Sequence, residues 1–109
     1  MIVKRPSIFV YTNRHDDIML KEICAGIEEE GVFFEVFEKD FQDLATLSFD
    51  AANESMMGSG IGISRGSVAL AMKGVQKGKF VEYYDKPTHE ECRKIGANSA
   101  RIIKKMPLK

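Results

Sequence analysis

Residues 58–66 read GSGIGISRG, with four glycines in nine positions. Clusters of this kind cradle phosphates when a G-x-G-x-x-G turn follows a strand and opens a helix. Here Gly58, Gly60 and Gly62 have a different spacing, and they lie within an apolar strand pattern rather than after it. The segment after Gly66 is strand-like, so no helix dipole is offered to a pyrophosphate. Gly-Lys-Ser/Thr is absent, which excludes a P-loop. The remaining reason is close approach: a strand stripped of side chains lets a helix or another backbone come near.

The rest of the chain supplies candidates for that neighbour. SIFVYT (7–12), apolar and β-branched after Pro6, reads as a buried first strand. In the next segment Leu20, Ile23, Cys24 and Ile27 recur on one helical face. Asp16 or Asp17 caps its start, and Gly31 stands where a left-handed C-terminal cap belongs. VFFEVFE (32–38) is the second strand. Phe41, Leu44, Ala45 and Phe49 suggest a helix around 40–53. GSGIGIS (58–64) is the third strand, turned at Arg65-Gly66 into a hairpin partner, SVALAMK (67–73). KFVEYYD (79–85) is the fifth strand. Thr88 and Glu91 form a capping box for a last helix whose stripe is Cys92, Ile95, Gly96, Ser99, Ile102, Ile103 and Met106, ended by Pro107.

The order β-α-β-α-β-β-β-α predicts a single α/β domain over residues 1–109. It is a compact three-layer type, with a mixed, mostly parallel sheet of about five strands and about three helices. IGANSA (95–100) puts a glycine inside the last helix, at a cost of about 1 kcal/mol relative to alanine. Such a helix is expected to pack tightly. Either it lies on the Gly60–Gly62 strand, or one of these two bare surfaces faces another subunit.

The 16 basic and 16 acidic residues balance. A neutral chain is poorly matched to nucleic acid or an anionic membrane, and it gains little from self-repulsion, which favours a life in complexes. No apolar run approaches the roughly 20 residues of a membrane span, and no signal-peptide layout is present. Cys24 and Cys92 read as small core residues.

Side chains with chemical potential do not assemble into a catalytic set. Ser55, Ser59, Ser64 and Ser67 occupy no Gly-x-Ser-x-Gly elbow. His15, beside Asp16 and Asp17, lies in a loop after the first strand. An Asp-x-His-x-x-Gly cobalamin loop fails here, because Asn13 and Ile18 replace its Asp and Gly. His89 sits in a helical first turn with no partner constellation. Glu28, Glu29 and Glu30 crowd a helix C-terminus, where negative charge opposes the dipole. They form either a solvated end or a carboxylate awaiting a cation.

Taken together, GIEEEGV (26–32), the GIGIS hairpin and RKIGANSARIIKKMPL (93–108) resemble the small subunit of the reactivating factor for adenosylcobalamin-dependent diol and glycerol dehydratases. The resemblance runs from about Ile8 to Leu108. It implies a non-catalytic, chaperone-like role in which a small subunit leaves a large actin-like ATPase subunit so that the dehydratase medium subunit takes its place. Damaged cobalamin is thereby released. It further implies no cofactor of the chain's own, with ADP or ATP on the large partner. Glu29 is implied to reach a Mg or Ca ion at the interface with that partner. The dehydratase is implied as a transient partner, a homo-oligomer as the form of the isolated chain, and the cytoplasm or a bacterial microcompartment as the location. The chain departs from the family's pattern at Phe33, where many relatives carry Pro, at Met56-Met57-Gly58-Ser59, and across residues 39–57.

Two other readings stand beside this one. The first is a domain like the dehydratase medium subunit that helps to bind cobalamin. The second is a small-ligand-binding α/β domain using a pocket near Asn13–Asp17.

Overall fold

The computed structural model describes residues 6–13, 17–40 and 43–109. In chain order the elements are β1 (Ile8–Asn13), α1 (Asp17–Glu29), β2 (Phe34–Glu38), α2 (Leu44–Glu54), β3 (Ser59–Ser64), β4 (Ser67–Met72), β5 (Glu82–Asp85) and α3 (His89–Lys104). The five strands form one sheet in the order β2-β1-β3-β4-β5. β1 runs parallel to both β2 and β3, and the β3–β4 and β4–β5 pairs are antiparallel. The sheet is therefore mixed, and three layers result, with α1 and α3 on one face and α2 on the other.

The two faces of the sheet have opposite characters because side chains alternate along each strand. Toward α1 and α3 point Ile8 and Val10 of β1, Ile61 and Ile63 of β3, and Val68 and Leu70 of β4, all fully buried with Ile23, Ile27 and Ile95. Toward α2, the register aligns Gly60 with Ala71 and Gly62 with Ala69, so the middle of that face is a trough of small residues. α2 lies in it. A Cβ on Gly60 would fall within the contact shell of the Ala51 and Ala52 backbone, and one on Gly62 would come 2.7 Å from the Ser48 nitrogen. Phe9 and Tyr11 of β1 form the trough's wall.

The glycine face of β3 is thus seated under α2, while the last helix packs on the strand's opposite face, beside Ser59, Ile61 and Ile63. The partner of Gly96 is α1: a Cβ there would collide with the Ile23 carbonyl, and one on Gly26 would collide with the Arg93 carbonyl. The sequence reading paired the right surfaces with the wrong neighbours, because two independent backbone contacts of the same kind occur on opposite sides of the sheet.

Close approach also explains the α2 boundary and face. Its buried residues are Leu47, Ser48, Ala51 and Ala52, while Leu44, Ala45 and Phe49 are only half-buried, and Phe41 lies outside the described residues. Against a bare strand the helix buries its smallest side chains, so a search for large apolar ones finds the wrong face. The helix starts one residue after Asp43, whose carboxylate accepts from the Thr46 amide at 2.7 Å. Asp43 is held below the usual carboxylate range by that bond.

Other ends differ by a few residues. β2 begins at Phe34 and β5 at Glu82. α3 stops at Lys104, where Lys105 turns left-handed at φ 56°, so Met106 lies beyond the helix and is 40% exposed. The Thr88–Glu91 capping box and the left-handed Gly31 are present as read. Arg14, His15 and Asp16 lie outside the described residues. Among the described residues, no helix is long and apolar enough to cross a membrane.

Alanine at Gly60 or Gly96 forces a helix backbone away from its seat. Each substitution is expected to lower stability by about 1–3 kcal/mol. Thermal melting checks this, and an unchanged midpoint for both variants contradicts the packing described.

Candidate partner-docking surface

The three glutamates at the end of α1 belong to a charge system that spans two helices. Glu22, Gly26 and Glu29/Glu30 fall on one face of α1, as do Arg93, Ala97, Arg101 and Lys104 on α3. The close crossing at Gly26 and Gly96 brings these faces together. Arg93 clasps both Glu22, at 2.7 Å, and Glu29. Arg101 and Lys104 each reach the Glu30 carboxylate at 3.1 Å. Lys104 also donates to the Glu30 carbonyl at 2.7 Å, so a lysine of α3 caps the chain leaving α1.

The environments of the three carboxylates differ. The Glu30 side chain is only 9% exposed. Its hydrogen bond from Lys104 holds its carboxyl below the usual range, with Arg101 adding to the effect and burial opposing it. Glu29 is 49% exposed, with Arg93 on its Oε1. The Arg93 guanidinium is held even more firmly protonated by Glu22 and then Glu29. Two of the three carboxylates, Glu29 and Glu30, are thus already engaged by cations of the same chain. Cations of the same chain offset the dipole's penalty. The sequence signal was the matched i, i+8 spacing of Glu22 and Glu30 on one helix segment and of Arg93 and Arg101 on the other, with the small Gly26 and Ala97 midway, which becomes informative only once the two helices are known to touch.

GANSA has a second task. Asn98 is 1% exposed, and its amide donates to the Glu82 carboxylate at 2.8 Å while its Oδ1 accepts from the Lys109 amide at 2.8 Å. Arg101 donates to the Pro107 carbonyl at 3.0 Å. The last residues are thus folded back along α3, and Asn98 ties that strap to β5. Tyr84 donates to the other Glu82 oxygen at 2.5 Å, which with burial pushes its phenol up to about 12.

Three of the four serines singled out in the sequence are absorbed into packing. Ser55 donates to the Ser7 carbonyl at 2.6 Å, Ser59 to the Ser99 carbonyl at 2.9 Å, and Ser67 to Asp85 at 3.0 Å. Both cysteines are buried and neither is in a disulfide. Burial, helped by Glu28, pushes the Cys24 thiol up to about 11, far from a reactive thiolate. His89 borders a shallow depression of about 470 Å3 with Glu22, Arg93 and Lys109. Among the described residues, no three His, Cys, Asp or Glu side chains gather as a metal site.

The outer strand β2 is exposed along most of its length, with Val36 and Phe37 each over a third exposed and Phe33 53% exposed just before it. Ile18 and Met56 are exposed further still. An uncovered strand edge beside apolar side chains is a surface suited to another protein.

This three-layer domain, with its charge-clamped helix pair and no reactive cluster among the described residues, has known counterparts. The family model for the dehydratase medium subunit matches residues 5–109, and the chain belongs to that family. It is 29% identical over 106 residues to the propanediol dehydratase-reactivating factor small subunit of Citrobacter freundii, covering 95% of this chain and 90% of that one. A solved glycerol dehydratase reactivase superposes with a TM-score of 0.91 at 28% identity over 95% of this chain and 96% of the other. The fold is also that of a diol dehydratase-reactivating factor solved with ADP and Mg2+, at a TM-score of 0.89 and 23% identity over 97% and 99% of the two chains.

Glu30→Gln leaves two cations facing a neutral amide. A loss of about 1–3 kcal/mol is expected at neutral pH. Because the folded-state pKa of Glu30 is depressed, its contribution is complete above the unfolded value of about 4.3 and fades as pH falls through the lower folded value. Wild type and variant should therefore begin to converge as pH falls below about 4.3 and meet only below the depressed folded value. A denaturation series across pH 2–7 checks this, and a gap that stays constant into acid contradicts the ion-pair account.

Proposed function

We propose that this chain is the small, non-catalytic subunit of a dehydratase-reactivating factor. The observation that carries the proposal is likeness along nearly the whole length: 90% of a reactivating-factor small subunit in sequence and 96% of a glycerol dehydratase reactivase chain in structure. The chain docks on a large actin-like ATPase subunit, where ADP or ATP binds. It yields that place to the medium subunit of an adenosylcobalamin-dependent diol or glycerol dehydratase, and damaged cobalamin leaves the loosened enzyme. Away from its partners the chain self-associates through its uncovered surfaces. It works in the cytoplasm or a bacterial microcompartment.

Membership of the medium-subunit family supports the exchange physically. Two proteins with one fold offer a common shape to one partner, and discrimination rests on a few side chains. This chain's contribution is a surface held in register by backbone contacts, with no chemistry required of it.

Glu29 is the residue proposed to meet a Mg or Ca ion at the large-subunit interface. The fit is that of a single donor. Its carboxylate is half exposed, and Arg93 fixes it through Oε1. Hard cations take carboxylate oxygens, and the remaining ligands would come from the partner and from water. When bound, the ion would bridge the Glu29 carboxylate to oxygen ligands of the partner.

Glu29→Gln is expected to weaken docking on the large subunit about tenfold in magnesium, or about 1.4 kcal/mol, and to leave docking without magnesium unchanged. Calorimetric titration with and without the ion checks this, and equal docking by the variant in both conditions removes the metal contact. The exchange itself is read with labelled chain preloaded on the large subunit. Added dehydratase should displace the label when ATP is present, and label that stays bound contradicts the proposed function.

A further inference from the structure

The sheet has one point where its connections part. β1 leads to α1 on one face, whereas β2 returns through α2 on the other face before β3. Between the C-terminal ends of β1 and β3 a crevice therefore opens, the position where open α/β sheets take ligands. It measures about 440 Å3 and is lined by Asn13, Ser64, Arg65 and Ser67, the α2 start at Asp43 and Leu44, and Tyr83.

Three features of this crevice bear on what it could hold. Ser64 is only 9% exposed, and among the described residues its hydroxyl makes no hydrogen bond, although Ser55, Ser59 and Ser67 all do. A buried polar group left unmatched is uncommon and calls for a reason. Arg65 makes no ion pair among the described residues, although Asp43 lines the same crevice. It also stands at φ 49° in the β3–β4 turn, before Gly66 at φ 84°. Such a turn favours Asn, Asp or Gly at its first position, so arginine there is the poorer choice for folding. The start of α2, an eleven-residue helix capped by Asp43, lines the same crevice and places the positive end of its dipole nearby.

We propose that this crevice binds a small monocarboxylate. The planar guanidinium of Arg65 matches a carboxylate's two oxygens, Ser64 supplies a hydroxyl donor, and the start of α2 supplies favourable dipoles. The Asp43 carboxylate, engaged at Thr46 and kept ionised, sets the charge limit. Among the described lining residues, one positive and one negative side chain admit a monoanion and oppose a phosphate dianion. Tyr83 and Leu44 provide the apolar wall for the acid's carbon body. The site is separate from the α1–α3 surface and stands or falls independently of the reactivating-factor reading.

The test is titration of the full chain, isotope-labelled for NMR, with acetate and with inorganic phosphate at constant ionic strength. Acetate is expected to give saturable shifts, at about millimolar concentration, in the amides of Asn13, Ser64, Arg65 and Ser67. Phosphate is expected to bind at least several-fold more weakly. Arg65→Asn separates ligand from fold, because asparagine suits the turn: its melting temperature should hold or rise while acetate binding falls at least tenfold. Ser64→Ala should weaken binding several-fold with the fold retained. Shifts that stay linear with acetate overturn the proposal. So do shifts unchanged in Arg65→Asn, or phosphate binding as tightly as acetate.

Discussion

Backbone lies against backbone at two places in this molecule, and the remaining structure is arranged around them. On one side of the sheet α1 and α3 meet at Gly26 and Gly96, where each would-be Cβ strikes a carbonyl of the other helix. On the other side α2 rests on Gly60 and Gly62. Contacts this close allow almost no sliding, since interiors transmit a small displacement rather than absorb it. The cost is conformational, because glycine loses more freedom on folding than any other residue. It is offset by tight packing over Ile23, Ile27, Ile61, Ile63 and Ile95 on the α1–α3 face and over Leu47 and Ala51 on the other.

The α1–α3 crossing dictates the charge pattern. With the helices so close, side chains flanking the crossing must face one another. Glu22 and Glu29 meet Arg93, and Glu30 meets Arg101 and Lys104. Exposed pairs contribute little, about 0–1 kcal/mol each. The Glu30 pair, shielded under two cations, is the more consequential because it also closes the end of α1. Acidic residues that looked misplaced on an isolated helix are well placed on a helix pair.

Local signals carried most of the fold. Period-2 and period-3.6 patterns, the Thr88–Glu91 box, Gly31 and the Arg65-Gly66 turn place every strand and helix to within a few residues. Facts about pairs of elements were not local. That Gly60 and Gly62 belong to α2 depends on which face the β2–β3 crossover takes, and alternation along β3 alone serves either helix. The α2 face was misjudged because Leu44 and Phe49 outweigh Ser48 and Ala52 on any hydrophobic scale, while close packing prefers the small ones. GIEEEGV marked the acidic end of α1, but Arg93, Arg101 and Lys104 emerge as its partners only in three dimensions. The crevice beside Ser64 lies at a switch between connections, and only its Asn13 edge was visible in the sequence.

A scaffold fixed this firmly suits the exchange proposed for this chain. Its surfaces are offered ready-made, and little ordering entropy is spent on docking. The claim of rigidity is tested most directly by native-state hydrogen exchange resolved along the chain. Amides of α1 from Ile23 to Ile27, of β3, and of α3 from Ile95 to Ala100 should exchange only through global unfolding, with β2 and β5 opening earlier. If the α1 and α3 amides beside Gly26 and Gly96 open as readily as the outer strand β2, the backbone contacts do not hold the molecule together and the account fails.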